Sequence, residues 1–220
     1  MPRAGRDEGG PGPRLARTFC EVDASKLARR LIGCRLVRVR EGRRLSGMIV
    51  ETEAYLGVED AAAHSFGGRR TARTEAMFAR AGTAYVYFTY GMHHCMNVVC
   101  GREGEPVAVL LRALEPSEGL EEMRGRRAGR ARGGAPRDVD LCSGPAKLCQ
   151  AMGIDRALTM TDLIDGDALF LEAPAPGVVV RPSDLVETTR IGVDRAGEWS
   201  KRPLRWYLRG NPHVSVVAPA

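Results

Sequence analysis

Five β-rich segments follow one another before residue 115, at 34–40, 45–55, 85–90, 94–99 and 106–114, and this succession limits the possible folds. A Glu-Gly-Arg turn at 41–43 separates the first two, and Gly91 separates the third from the fourth. Strands joined by short turns pair antiparallel, because a parallel pair needs a long crossover. The pattern therefore predicts a mixed α+β fold with a mainly antiparallel sheet and a hairpin whose tip protrudes near Tyr90.

Helical signals lie between and after these strands. They predict helices at 22–32 with Asp23 as N-cap, at 74–80, at 118–124, and from Pro145 onward. Later strands are predicted at 169–172, 178–181 and 204–217. The Gly-, Pro- and Arg-rich segment 1–14 is predicted to be a disordered basic tail, and the arginine-rich segment 125–137 a mobile loop. The rest of 15–220 is predicted to form one domain.

Composition narrows the function classes. The chain has 220 residues and a formal net charge of +6, which favours a polyanionic partner, although a basic protein without such a partner is equally consistent. Its six cysteines contain no Cys-x-x-Cys pair, so we expect reduced, buried thiols in an intracellular protein and no zinc finger. No apolar run reaches the length of a membrane-spanning helix, and the first residues lack a secretory apolar region.

The strand at 45–55 carries candidate acid–base groups. Alternation puts Glu51, Glu53 and Tyr55 on one face of this strand. Apolar neighbours suggest that these glutamates are partly buried, and a partly buried carboxylate suits general base catalysis near neutral pH. A solvated strand edge is an equally good interpretation of two carboxylates on one face.

Aromatic residues concentrate close to this strand. Tyr85 and Tyr87 share a face, and Tyr90 at the hairpin tip is a candidate wedge between stacked bases, although packing on a neighbouring loop is the commoner outcome. Rings that face a cleft can stack on a base. His64 on its own is best explained as a structural histidine, but it precedes a Gly-Gly-Arg-Arg loop at 67–70 that could approach a phosphate closely.

Three other functions remain open at this point. The first is a non-catalytic nucleic-acid-binding module that uses the tyrosines only for stacking. The second is a metal-dependent hydrolase built on Glu51, Glu53, His93 and His94, although no acidic partner has ligand spacing and no metal site or cofactor is predicted. The third is a lyase with Lys147 as amine nucleophile, but its position at a helix start favours simple hydrolysis.

Several motifs at ordered spacings resemble the alkyladenine (3-methyladenine) DNA glycosylase family. They are VETEAYLG at 50–57, AHS at 63–65, YVY at 85–87, YGM at 90–92, CMN at 95–97, LLRALEP at 110–116, LCSGPAKLCQ at 141–150, AGEW at 196–199 and RPLR at 202–205. The resemblance extends from about residue 15 to residue 217. His93 and His94 depart from it, since aromatic residues are expected there in many relatives.

The resemblance implies a monofunctional glycosylase that starts base excision repair. Such an enzyme flips an alkylated or deaminated purine out of duplex DNA and hydrolyses its N-glycosidic bond. The candidate lesions are 3-methyladenine, 7-methylguanine, hypoxanthine and ethenoadenine. A curved antiparallel sheet flanked by helices and a hairpin for the DNA minor groove are implied as well. The expected partner is double-stranded DNA with a damaged purine, bound by a monomer without cofactor or membrane, in a bacterial cytoplasm or nucleoid or in a nucleus.

The same resemblance implies roles for individual residues. Glu53 would be the general base, with Arg112 beside the activated water. Tyr55, His64 and Tyr87 would form the walls of the base pocket. Asn97 would form the pocket floor. Tyr90 and Met92 would form the intercalating hairpin tip. The remaining DNA contacts would come from Arg69, Thr71, Met77 and Lys147.

Overall fold

In the computed structural model, residues 12–128 and 136–218 are described. They form a single α+β domain whose antiparallel sheet curls into a half-barrel. The strands are β1 (Arg35–Arg40), β2 (Arg43–Tyr55), β3 (Ala84–Thr89), β4 (His93–Cys100), β5 (Val107–Glu118), β6 (Leu169–Glu172), β7 (Leu185–Thr188) and β8 (Arg205–Leu208). Their order is β3-β4-β5-β2-β1-β6, and β8 pairs with both β2 and β7.

Strand β2 is the branching point of the sheet. It pairs with β5 along most of its length, with β1 up to Met48, and with β8 from Glu51 to Glu53. The register with β5 shifts between Ile49 and Thr52, and such bulges bend a strand and increase its twist. The bend turns the second half of β2 from β1 towards β8.

Helices cover the sheet. The α-helices are α1 (Ala24–Leu31), α2 (Leu120–Ala128), α3 (Asp138–Leu141) and α4 (Pro145–Met152). The 3₁₀ segments are Arg17–Phe19, Gly57–Glu59, Phe66–Gly68, Glu75–Phe78, Arg156–Leu158, Pro182–Asp184 and Asp194–Lys201. Asp23 caps α1 by accepting from the Lys26 N–H, and Pro145 opens α4, as the sequence predicts.

The main core lies between these helices and the sheet. Helix α1 packs on β2, where the Thr52 hydroxyl donates to the Ala28 carbonyl at 2.9 Å. Leu27 and Leu31 of α1 are fully buried. A smaller apolar cluster on another part of the sheet contains Met77 and Tyr85. Strand β2 is therefore buried on both faces, one towards α1 and the other towards the polar site described below.

The sequence predicts the strands of the first half well and the later elements less well. The predicted helix at 74–80 is only the 3₁₀ segment Glu75–Phe78, and no strand occupies 178–181. The strand predicted at 204–217 ends at Leu208, because the chain turns at Gly210, whose φ is 70°. Strand β7 was not predicted.

The end of β5 also differs from its prediction. The strand predicted at 106–114 continues through Glu115 and Pro116 to Glu118. Pro116 lies opposite Gly47 beside a register shift, where a residue without an N–H is tolerated. The following helix consequently begins at Leu120 and includes 125–128, which were expected to belong to the arginine-rich loop.

Two predicted segments fall largely outside the described residues. These are the tail at 1–14, of which only 12–14 are described, and the loop at 125–137, of which 129–135 are not described. All six cysteines are buried and free. Within the described ranges, no helix is both long and apolar enough to cross a membrane.

Candidate active site

The carboxylate of Glu53, near the end of β2, is fully buried. Its Oε2 accepts a hydrogen bond from the Tyr55 hydroxyl at 2.9 Å, and its Oε1 accepts one from the Ile191 backbone N–H at 2.8 Å. Nη1 of Arg112 lies 3.0 Å from the same Oε1. Buried charge is tolerated when it is paired and hydrogen-bonded in this way. The solvated strand edge that the sequence left open is therefore wrong.

Arg112 on β5 is held between two glutamates. Its Nε donates to Oε1 of Glu51 at 2.9 Å, and Nε of Arg205 donates to that oxygen at 2.6 Å. Burial lowers the pKa of Arg112, but Glu53 and Glu51 outweigh it, so that the pKa is raised overall. Since Glu51 and Glu53 both contact Arg112, the predicted shared face of the strand is confirmed.

The same contacts disfavour a metal site on these carboxylates. Glu51 and Glu53 face arginine cations, which occupy the side where a metal ion would bind. Among the residues that the structure describes, no group of three His, Cys, Asp or Glu side chains could hold a metal ion.

A cavity of about 240 Å³ opens next to the Glu53 carboxylate. Its wall contains the three groups that contact Glu53, whereas Glu53 itself contributes no surface to it. Sites for drug-sized ligands have volumes of about 300–1,000 Å³, so this smaller cavity suits a single small ring system. The lining residues are Tyr55, Ala62, His64, Met77, Tyr85, Tyr87, Thr89, Tyr90, Cys95, Asn97, Leu110, Arg112, Pro145, Ile191, Gly192 and Val193.

Aromatic rings form much of this wall. The ring centroids of His64 and Tyr87 are 4.5 Å apart with an interplanar angle of 87°, an edge-to-face contact. The Tyr85 ring lies 5.5 Å from that of Tyr87, and its hydroxyl lies 2.9 Å from Nδ1 of His64. Two of the three predicted walls, His64 and Tyr87, are thus in direct contact, and Tyr55 lines the same cavity.

His64, Tyr55 and Tyr87 are neutral near pH 7. Burial, and to a smaller extent Arg73, lowers the pKa of His64 to about 4. Burial raises the pKa of Tyr87, and burial followed by the Glu53 charge raises that of Tyr55. The Tyr55 hydroxyl therefore keeps its proton and donates a hydrogen bond to the Glu53 carboxylate.

Asn97 and Met77 lie inside the cavity wall. Asn97 pairs with Tyr85 across β3 and β4, and its Nδ2 donates to the Tyr85 carbonyl at 3.2 Å. Met77, expected to contact DNA, is 2% exposed and belongs to the smaller apolar cluster. Burial raises the pKa of Cys95, which also lines the cavity.

The β3–β4 hairpin ends in a tip formed by Tyr90, Gly91 and Met92. Tyr90 is 83% exposed and lines the mouth of the cavity. Its φ of 50° is a left-handed conformation that is unusual for a bulky residue and costs on the order of 1–3 kcal/mol. Met92 is exposed as well. The commoner outcome, in which the tyrosine packs back on a loop, is therefore not observed.

The remaining predicted contacts lie around the cavity. Arg69 and Thr71 are exposed and line a depression of about 670 Å³ that also contains His64 and Arg73. Lys147, in the first turn of α4, donates to the Ser143 hydroxyl at 3.1 Å.

The segment Ile191-Gly192-Val193 is the main functional element that the sequence did not suggest. It supplies one wall of the cavity and the backbone N–H that contacts Glu53. The segment follows β7 without regular structure, so no periodic pattern marks it. Tyr85 was noted for its shared face with Tyr87, but its hydrogen bond with His64 could not be read from that spacing.

The family model described as Methylpurine-DNA glycosylase (MPG) matches residues 18–212. The chain belongs to the methylpurine-DNA glycosylase family. It is 50% identical to the DNA-3-methyladenine glycosylase of Homo sapiens over 93% of this chain and 68% of that protein. It is 48% identical to a probable DNA-3-methyladenine glycosylase of Encephalitozoon cuniculi over 89% of this chain and 90% of that protein.

A bacterial relative extends the match. The putative 3-methyladenine DNA glycosylase of Clostridium acetobutylicum is 44% identical over 93% of this chain and 98% of its own length. Against mammalian relatives the coverage is smaller, at 62% of the Mus musculus protein. The resemblance inferred from the motifs is confirmed, and with it the prediction of a DNA glycosylase that acts in DNA repair.

Proposed function

We propose that this methylpurine-DNA glycosylase rotates a damaged purine out of duplex DNA into the aromatic cavity and hydrolyses its N-glycosidic bond. The observation that carries the proposal is the Glu53 carboxylate. It is buried directly behind a cavity of single-ring-system size, and the Tyr55 hydroxyl, the Ile191 N–H and Arg112 bind it from the cavity side.

The aromatic wall supports alkylated purines as substrates. Relatives are named for 3-methyladenine, which carries positive charge, and electron-rich tyrosine faces attract a cationic ring. Rotation of a nucleotide costs a few kcal/mol, least for damaged bases, and each base–aromatic stack returns about 1–3 kcal/mol. The proposed lesions are 3-methyladenine, 7-methylguanine, hypoxanthine and ethenoadenine.

The proposed chemical step is hydrolysis by one activated water. The water oxygen attacks the anomeric carbon of the sugar while the bond from that carbon to the purine nitrogen breaks, and the bonding electrons leave with the base. Glu53 has no cavity surface in this structure, so its Oε2, whose described partner is the Tyr55 hydroxyl, has to become accessible to the water when the damaged nucleotide binds. Glu53 then takes a proton from the water, and its negative charge offsets positive charge that develops on the sugar. Arg112 holds Glu53 and orients the water.

Other residues are proposed to bind and select the DNA. Tyr90, which projects from the hairpin tip with Met92, fills the gap left by the rotated base. Asn97 at the cavity floor disfavours undamaged guanine, whose amino group would clash there and which lacks the positive charge that methylation gives to 7-methylguanine. Contacts to the DNA are assigned to Arg69, Thr71, Met77 and Lys147. Met77 has too little exposed surface for a phosphate contact, so its contact would be with the rotated nucleotide in the cavity.

The test measures base release from duplexes that each carry one of the four lesions, for wild type and Glu53→Gln, with and without a chelator. We expect release by wild type that is insensitive to chelator, and loss of about 10²–10⁴-fold in the variant. Equal binding of damaged and undamaged DNA without release would instead favour a non-catalytic module. A borohydride-trapped adduct that disappears in Lys147→Ala would favour a lyase.

A further inference from the structure

A fully buried ion pair lies behind the cavity and joins two segments that are 130 residues apart. Nη1 and Nη2 of Arg190 donate to the two carboxylate oxygens of Asp60 at 2.5 Å and 2.9 Å. This bidentate geometry is the one in which arginine binds carboxylate most strongly and with the most defined orientation.

Asp60 organises the loop that carries His64. Its Oδ2 accepts the Leu56 N–H and its Oδ1 the Ala62 N–H, each at 3.0 Å. Because Leu56 directly follows Tyr55 at the end of β2, these bonds fix the course of the chain from the Tyr55 wall to the His64 wall.

Arg190 contacts the end of β2 and the segment that carries Ile191. Its Nη1 donates to the Ala54 carbonyl at 3.0 Å and its Nη2 to the Trp199 carbonyl at 3.2 Å. Its guanidinium carbon lies 4.8 Å from the centroid of the Tyr55 ring. The next residue, Ile191, supplies the backbone N–H that contacts Glu53.

We propose that Arg190, held by Asp60, is a positioning residue for hydrolysis: it sets the Tyr55 ring and the Ile191 N–H, and through them the orientation of the Glu53 carboxylate. The proposal rests on the function proposed above. Arg190 does not line the cavity, so it acts on the reaction only through the residues that it holds. Misplacement of a catalytic group by about 1 Å can cost on the order of 10²-fold in rate.

The principal variant is Arg190→Lys, which keeps the buried positive charge. A lysine ammonium can still pair with Asp60, but it cannot make the parallel bonds or lie flat against Tyr55. The second variant, Asp60→Asn, keeps the volume and removes the charge. The matched control is Arg35→Lys, because Arg35 is a similarly buried arginine whose described contacts include Ser46, Ser117 and Glu118, all outside the cavity wall.

The experiment measures single-turnover base release from an ethenoadenine duplex, normalised to the folded fraction from circular dichroism. Ethenoadenine fluorescence reports separately whether the base has left the stack. We expect Arg190→Lys and Asp60→Asn to slow release about 10–100-fold while binding and rotation change less than about threefold. Arg35→Lys is expected to keep the rate per folded molecule.

A double variant isolates the route of the effect. If Arg190 acts through Glu53, Arg190→Lys added to Glu53→Gln should change the residual rate by less than about twofold. If wild type releases the base and Arg190→Lys releases it at a rate within about twofold of wild type, the positioning role is overturned. The proposed function is not affected by that result. Failure of both single variants to fold would also overturn it, since the pair would then be needed only for folding. No release by wild type from any of the four lesions would refute the proposed function itself.

Discussion

At the level of single residues, the Glu53 carboxylate contributes both to the stability of the folded protein and to the proposed reaction. It accepts from a hydroxyl, a backbone N–H and an arginine, so that all of its described partners are donors. In Glu53→Gln the new amide N–H₂ must therefore face at least one donor. We expect the variant to lose about 1–3 kcal/mol of unfolding free energy in addition to its activity.

Urea unfolding measures that loss. Arg69→Ala, an exposed change, is a suitable comparison and should leave the unfolding free energy nearly unchanged. A Glu53→Gln protein as stable as wild type would show that the buried carboxylate is not held by the three donors described.

His64 makes stability depend on pH in a defined window. Its pKa is lowered to about 4 in the folded state, whereas the usual value is 6.5, so the unfolded chain binds a proton that the folded protein does not. The stability contribution is present above about pH 6.5 and is lost as the pH falls towards about 4. When the pH falls from about 7 to about 5, the unfolding free energy of wild type should decrease by about 2 kcal/mol more than that of His64→Gln. Parallel pH dependence of the two proteins in urea unfolding would contradict this.

At the level of elements, the β3–β4 hairpin keeps an exposed aromatic in a strained conformation. Because Tyr90 is 83% exposed, Tyr90→Ala should fold normally. It should weaken binding to a lesion duplex by about 1–3 kcal/mol, the value of one stacking contact, whereas Tyr90→Trp should retain most of the affinity. Fluorescence anisotropy with a labelled duplex measures this change. Val179→Ala, another exposed apolar position, serves as the control, and equal affinities of Tyr90→Ala and wild type would rule out the wedge.

Elements also show which parts of the protein the sequence can predict. Alternation and short turns identify β1 to β5, because each strand pairs with a neighbour close along the chain or carries a continuous apolar pattern. The grouping of Glu53, Tyr55, His64 and Tyr87 follows from strand parity and from the family motifs.

Long-range polar contacts could not be predicted in this way. The bonds of Asp60 with Arg190 and of Glu53 with Ile191 connect irregular segments through single residues. A charged residue in a loop is normally exposed, so nothing in the local sequence marks Asp60 or Arg190 as buried. The continuation of β5 through Pro116 likewise depends on Gly47 in a different strand.

At the level of the whole molecule, the formal net charge of +6 predicts DNA binding that weakens with salt. Each phosphate contact adds about −0.9 to the slope of log K against log salt. Arg69 is exposed in the depression beside His64, so Arg69→Ala should make the slope shallower by about 1. Arg102→Ala is the matched control, because Arg102 lies in a separate depression with Glu21, Glu103 and Glu105, where a phosphate would be repelled. Titrations of a lesion duplex between about 50 and 200 mM salt give both slopes. If Arg102→Ala makes the slope shallower and Arg69→Ala does not, the DNA binds on a different face of the protein.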